Sequence, residues 1–330
     1  VFFATLLTSL LALYLLAFII IAGRPPHFGP GPPAFDEQAV VEVGARPTAA
    51  VTGFGSVWIS DEEAGTLTRI DPVSNAVQQV IDVGKRPVDV AVTPDALWVL
   101  RDGRDERHRG TLTRVSPDSG ALTNVIRVGR GPVAVTSVFD SIWVANGADR
   151  SITKIDATAR RALGSVATPG RPVDLAVSED GLWVAQHTGG ASADAQAVLN
   201  RFDLETGQAD RRVRVDGEIA CVTASPDAVF LCIEGGSADS VTTVNPGTVQ
   251  IEREAVGVVD PRSIALAGSI LYVAEQADGS VAVLRSYDSE IDERVDVGDD
   301  PVAITMADDD AWVANAGSGT ASRVGPTGGG

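Results

Sequence analysis

Between residues 83 and 128 the polar and apolar positions fall into four short runs parted by turns. Val83-Gly84-Lys85-Arg86-Pro87 leads in, Pro87 to Val92 alternates apolar and polar, and Thr93-Pro94-Asp95 makes a turn. Ala96 to Leu100 is a dense apolar run, and Thr111 to Val115 is a third. Ala121 to Val128 is a fourth, after the turn Ser116-Pro117-Asp118-Ser119-Gly120. Runs this short, patterned at period two and bounded by Pro, Gly, Ser and Asp, predict β-strands; no helical period appears in the unit.

The unit returns to the end of the chain. Gly-x-x-Pro stands at Gly44–Pro47, Gly84–Pro87, Gly129–Pro132 and Gly298–Pro301, with variants at Pro169–Pro172 and Gly257–Pro261. A copy near Gly217-Glu218-Ile219 lacks the proline. An aromatic follows each: Trp58, Trp98, Trp143, Trp183, Phe230, Tyr272 and Trp312, at spacings of 40, 45, 40, 47, 42 and 40 residues. All five tryptophans occupy this one column. Four strands per period of about forty residues, seven times over, predict a seven-bladed all-β propeller. The last copy lacks a fourth strand, while Glu37 to Val43 precedes the first copy as an orphan. Pairing the two closes the ring and covers an otherwise open edge.

The unit Val-Gly-x-x-Pro, with Trp-Val-Ala-Asn (Trp143–Asn146, Trp312–Asn315) and Ile-Asp-Pro (Ile70–Pro72), resembles the YVTN-type forty-residue β-propeller repeat. It is similar to the virginiamycin B lyase-like propellers. The resemblance implies exported or surface-linked bacterial propellers, some fused behind a membrane helix to a cytoplasmic kinase. The fifth copy departs from the pattern, with Phe230 for Trp and no Pro.

The shared residues are architectural. The aromatic column is expected to pack between blades. Each Gly-x-x-Pro is a turn in which Gly permits positive φ and Pro sets the start of the innermost strand. Asp71 and Asp156 are expected to accept backbone N–H groups in turns.

Ahead of the repeats, residues 1–22 read VFFATLLTSLLALYLLAFIIIA, with no charge; as a helix they span roughly 33 Å, enough for a bilayer core. Ile20-Ile21-Ala22-Gly23 is a poor cleavage site, so a retained single-pass anchor is preferred over a cleaved signal. Residues 23–35 (GRPPHFGPGPPAF) form a Pro/Gly spacer, 36–325 the propeller, and 326–330 a flexible tail. The chain begins with Val, which fits either a fragment missing a cytoplasmic part or an alternative start. The propeller is expected outside the cytoplasm, because an N-terminal anchor most often exports the domain behind it.

The net charge of −18 disfavours a nucleic-acid partner. No metalloprotease, P-loop, kinase, EF-hand or C-x-x-C motif is present, so no cofactor, metal site or catalytic residue is assigned. Function is then expected in loops. In a blade with strands a to d from the channel outward, the d–a and b–c loops share one face. The long b–c loops, 101–110 and 186–196, carry His108 and His187. In ring order the d–a loops offer Arg46, Lys85 with Arg86, Arg130 and Arg171, then Glu218, Asp260, Asp299 and Asp300. This predicts a rim basic on blades 1–4 and acidic on blades 5–7, suited to a protein, a peptide end or a small ligand with oppositely charged ends. Cys221 and Cys232 flank Ser225-Pro226-Asp227-Ala228. If Pro226-Asp227 centre that turn, the two sulfurs face each other and are candidates for a disulfide.

Three functions are compatible with these features. The first is a membrane-anchored scaffold for binding or protein interaction. The second is the sensor part of a receptor such as a serine/threonine kinase. The third is a lyase-like enzyme, which requires His108 or His187 within reach of two carboxylates at the channel mouth.

Overall fold

The computed structural model describes residues 34–103, 108–179, 181–188, 196–235 and 238–327. The expected anchor, residues 1–22, lies outside them. Among the described residues no helix is long and apolar enough to cross a membrane.

Among the described residues, twenty-eight strands, β1 to β28 in chain order, make seven antiparallel four-stranded sheets, which is a seven-bladed β-propeller. Blades 1 to 6 each consist of four consecutive strands. Blade 7 is different: β26 (Pro301–Ala307), β27 (Asp310–Asn315) and β28 (Thr320–Pro326) are completed by β1 (Phe35–Glu42), the first strand of the domain. Phe35 pairs with Pro326 and Glu42 with Thr320, and the Val43 N–H donates to the Gly319 carbonyl at 3.1 Å. The innermost strands form the channel wall. They are β2 (Pro47–Gly53), β6 (Pro87–Thr93), β10 (Pro132–Val138), β14 (Arg171–Ser178), β18 (Glu218–Ala224), β22 (Pro261–Ala267) and β26, each against its two neighbours.

The core is divided into seven seams, each holding one member of the aromatic column. Trp58 of blade 1 packs on Val90, Leu97 and Val99 of blade 2, and Trp98 packs on Val135, Ile142 and Val144 of blade 3. Trp143, Trp183, Phe230 and Tyr272 repeat the arrangement in turn, and Trp312 of blade 7 packs on Val57, Ile59 and Ile70 of blade 1. All seven are at most 2% exposed. A residue in the same place on the second strand of every blade therefore glues each sheet to the next, where its area stabilises most.

The strand register brings out a second repeat that is not evident along the chain. Each tryptophan faces a cation on the third strand of its own blade: Arg69, Arg114, Lys154, Arg201 and Arg323. Opposite Phe230 and Tyr272 stand Thr243 and Val283 instead. Arg69 and Lys154 lie over their indoles, 5.2 and 5.1 Å from the ring centres. Several of these cations also reach across the seam. Arg69 donates to the Pro117 carbonyl of blade 2 at 3.3 Å, and Arg323 to the Pro72 carbonyl of blade 1 at 3.0 Å. Lys154 does the same to Leu204 of blade 4.

The outer turns behave as expected. Asp71 accepts the Val73 and Ser74 N–H groups at 3.0 and 2.9 Å, and the Ser74 bond leads the contacts that hold its carboxyl below the usual range. Asp156 accepts from Ala159 at 2.7 Å. In blade 5, Ser225 and Ala228 close the turn around Pro226-Asp227, which places Cys221 directly across from Cys232. The two form a disulfide with Cα atoms 5.0 Å apart, inside the blade 5–6 seam.

Candidate functional site

The face carrying the d–a and b–c loops is built by a pair of contacts repeated around the ring. In blades 1 to 4 and 6 the residue three after the column aromatic clamps the d–a loop. Asp61 accepts the Arg46 N–H at 2.7 Å, Asn146 that of Gly129 at 2.8 Å, Gln186 that of Gly170 at 3.0 Å and Glu275 that of Val259 at 2.9 Å. Arg101 does the reverse, donating to the Val83 carbonyl at 2.7 Å. Glu275 is fully buried. Its charge is met by Arg294, at 2.8 and 3.2 Å, and by the Ser280 hydroxyl, so the carboxylate is satisfied on every side. In the sequence the clamps stand at the last letter of Trp-Val-Ala-Asn and its variants, although Asn315, which ends the second full copy of that motif, bonds Thr320 and Ser322 instead.

The second contact fixes the rim itself. The carbonyl of the residue before the strand proline accepts the N–H of the first residue past the clamp. The pairs are Arg46 with Glu62 (2.9 Å), Arg86 with Asp102 (3.1 Å), Gly131 with Gly147 (2.7 Å), Asp260 with Gln276 (3.0 Å) and Asp300 with Ala316 (2.7 Å). Arg86, Asp260 and Asp300 hold left-handed backbone, with φ of 64°, 46° and 58°. Side chains larger than glycine are thus kept in a costly conformation at the same rim position of three blades.

The expected rim residues are dealt out differently around the ring. Arg46, Lys85 and Arg86 share one hollow with Glu62, and Arg86 and Arg171 share another that spans blades 1 to 4. Arg130 is not part of either. Its N–H and guanidinium hold Asp149 at 2.8 and 2.5 Å. Burial raises the Asp149 carboxyl, but the Arg130 contacts outweigh it and keep it below the usual range. Arg150, which no repeat marks in the sequence, lines the second hollow in its stead.

The acidic side is likewise engaged locally. Asp260 and Glu234 share Arg262, at 2.6 and 2.9 Å, and Asp300 accepts from the Gln276 amide. Burial leads the shift that raises the Glu234 carboxyl. Glu218 and Asp299 are exposed. His187 Nε2 is 3.1 Å from the Ile219 carbonyl, and His108 lines a third hollow beside Lys85, Arg86 and Arg109. Among the described residues, no cluster of three His, Cys, Asp or Glu side chains has metal-binding geometry.

Two carboxylates in the channel wall add a feature that the sequence pattern did not reveal. Asp89 of blade 2 accepts the Val135 N–H of blade 3 at 2.7 Å, and Asp174 of blade 4 accepts the Val222 N–H of blade 5 at 2.8 Å. In blade 6 the Ser263 hydroxyl takes the equivalent bond from Ile304, at 3.2 Å. Loss of water raises Asp89 to about 7 and Asp174 to about 6, against the N–H bonds that lower them; Asp174 also pushes Asp89 upward. The signal is present as Pro-Val-Asp in the second and fourth copies, where the first, third and seventh have Pro-Thr-Ala or Pro-Val-Ala.

A cavity of about 360 Å³ on this face lies at the channel rim and is lined by residues of blades 1 to 4. Val88, Pro132 and Val133 give it an apolar floor, and its walls are charged. Arg86 is paired with Asp102 at 2.5 Å, and Glu62 is held by Arg46 at 3.6 Å.

Comparison with known proteins gives the fold and stops there. No family model matches the chain, so the expected YVTN repeat family is not shown. No curated protein matches it either. Solved structures do match. "Kuenenia stuttgartiensis Hydrazine Synthase" aligns with a TM-score of 0.75 at 18% identity, over 86% of this chain and 96% of that one. "Streptogramin B lyase structure" aligns at 0.70 and 15%, over 89% and 98%. The Pan2 WD40 domain of Neurospora crassa aligns at 0.70 and 12%, over 92% and 98%. Identities this low carry architecture alone, and what the chain shares with these proteins is the β-propeller fold.

Proposed function

We propose that this chain is a scaffold that binds a ligand or a protein partner through the face carrying the d–a and b–c loops. In this reading residues 1–22 anchor it in a membrane and the propeller stands on the extracytoplasmic side. The observation that supports it most is the rim: charged side chains at Arg86, Asp260 and Asp300 kept in left-handed backbone and pinned through their carbonyls. A fold under no demand at this face would relieve that cost with glycine, as it does at Gly131. Loops on a rigid frame are where recognition concentrates.

The lyase reading draws less support. It requires a histidine within reach of two carboxylates, and the Nε2 of His187 meets a backbone carbonyl instead. The scaffold reading is tested by screening the full chain against peptides, sugars and small organic ions for thermal stabilisation, which a ligand of the folded state must produce. Reversing Lys85, Arg86 and Arg130 to Glu is expected to abolish the stabilisation given by a rim ligand. Binding that survives the triple reversal unchanged counts against this face as the site.

A further inference from the structure

Resting on that scaffold reading, we propose a ligand class for the rim cavity lined by blades 1 to 4. It takes a small organic molecule with a carboxylate at one end and an ammonium or hydroxyl donor at the other. The carboxylate is held by Arg150 and Arg171, and the donor faces Glu62.

The charge distribution points this way. The protein carries −18, and most cations on this face are already matched to an acid: Arg46 to Glu62, Arg86 to Asp102, Arg130 to Asp149, Arg262 to Asp260 and Glu234. Arg150 and Arg171 are the exceptions within the cavity. Neither forms an ion pair among the described residues, in a chain with an excess of acids to offer. They come from different blades and line the same cavity. The Arg171 guanidinium reaches from blade 4 over blade 3, so that a Cβ on Gly147 would sit 3.3 Å from its Nε. Arg150 is set by left-handed backbone at φ 48°, with its carbonyl locked by the Thr168 N–H at 2.8 Å. Two guanidinium forks lining one cavity suit the planar, bidentate demands of a carboxylate.

Glu62, in the same lining, adds the second end. Glu62 is only loosely held by Arg46, at 3.6 Å, and is partly exposed, so it can accept from a ligand donor. Asp102 beside it is committed to Arg86 and repels a second anionic group. Val88 and Val133 in the lining suit a short apolar body, and the volume of about 360 Å³ falls in the small-ligand range. The acid in this cavity is Glu62 of blade 1; the expected acidic residues Glu218, Asp260, Asp299 and Asp300 are not among its lining.

The test uses the full chain and three probes of equal carbon length: 5-aminovalerate, glutarate and 1,5-diaminopentane. Calorimetric titration should show saturable binding of 5-aminovalerate, tighter than either symmetric probe. Arg150→Gln and Arg171→Gln should each weaken it about tenfold, and Glu62→Gln should weaken it as well. Arg253→Gln, which removes the same charge from an exposed outer strand, should leave it unchanged. These side chains lie at the surface, and an unchanged thermal midpoint without probe confirms that the variants fold. The inference is overturned if 5-aminovalerate does not saturate by roughly 10 mM. Equal binding of the symmetric probes, or indifference to the Arg150 and Arg171 substitutions, overturns it too. If another compound stabilises the chain through Lys85, Arg86 and Arg130 while 5-aminovalerate fails, this inference falls and the scaffold reading stands.

Discussion

Trp98 and Trp143 hold the same place in neighbouring blades, yet only one has its indole N–H satisfied. Trp98 donates to the Thr93 hydroxyl at 3.0 Å, Trp183 to Ser178 at 3.2 Å and Trp58 to the Gly53 carbonyl at 3.0 Å. Trp143 and Trp312 find no partner among the described residues, and the residue five positions earlier is Val138 or Ala307. A buried donor left unmet costs about 1–3 kcal/mol. Thr93→Val, nearly isosteric, is therefore expected to lower stability by about 1–3 kcal/mol in urea denaturation. Val138→Thr should raise it by about 1 kcal/mol. The column itself was legible from the sequence, because a large aromatic at a fixed period has few other uses. Its hydrogen bonding was not, because the partner sits on the adjacent strand, and only the register brings it within reach.

At the scale of elements, one strand decides whether the ring is closed. β1 supplies the outer strand of blade 7, and Phe35 at its start enters the blade 6–7 seam. There its ring meets Tyr272 edge-on at 5.9 Å, and its N–H donates to Glu293 at 2.7 Å. Removing residues 35–42 bares β28 along its length and takes a buried aromatic from the seam. The Phe35 side chain alone accounts for about 3 kcal/mol. The truncated protein should show a lower urea midpoint and a tendency to associate through the open edge, read by denaturation and by sedimentation. The orphan strand and the incomplete last copy could be matched on paper, because an unpaired edge is a deficit that pattern reading can count. The cation facing each tryptophan escaped notice, since its distance in sequence varies with the length of the b–c loop: Arg69 follows Trp58 by 11 residues, Arg114 follows Trp98 by 16.

At the scale of the whole molecule, the channel wall is joined blade to blade by Asp89, Asp174 and Ser263, on blades 2, 4 and 6. The two carboxyls are raised from 3.8, to about 7 and about 6, because the wall strips them of water. In the unfolded chain they ionise near their ordinary value, so the unfolded state releases these protons first as pH rises. Their contribution is most favourable below the ordinary carboxyl range and is lost as pH climbs through about 6 to 7. The chain should accordingly be less stable at about pH 8 than at about pH 5.5 by the share these groups carry. Asp89→Asn with Asp174→Asn keeps an acceptor for the neighbouring N–H and should flatten that part of the profile, raising stability at the alkaline end. Chemical denaturation at a series of pH values checks it, and an unaltered slope in the double variant would refute the assignment.

The sequence alone determined the number of blades, the column that glues them and the way the ring closes. These rest on periodicity and on the need to pair backbone groups, and both can be read in one dimension. It also determined which loops share a face, because strand alternation settles that. Which charges on the face meet was decided only by tertiary structure. Arg130 and Arg171 stand at comparable places in the chain, yet Arg130, at the end of blade 2, is engaged by Asp149 of blade 3, while Arg171 of blade 4 passes over Gly147 of blade 3 and lines the rim cavity. Arg150 joins it there from a turn outside the repeated motif. Side-chain reach, local backbone and the partner on the next blade set those outcomes, and they depend on how neighbouring blades are juxtaposed once the ring has formed.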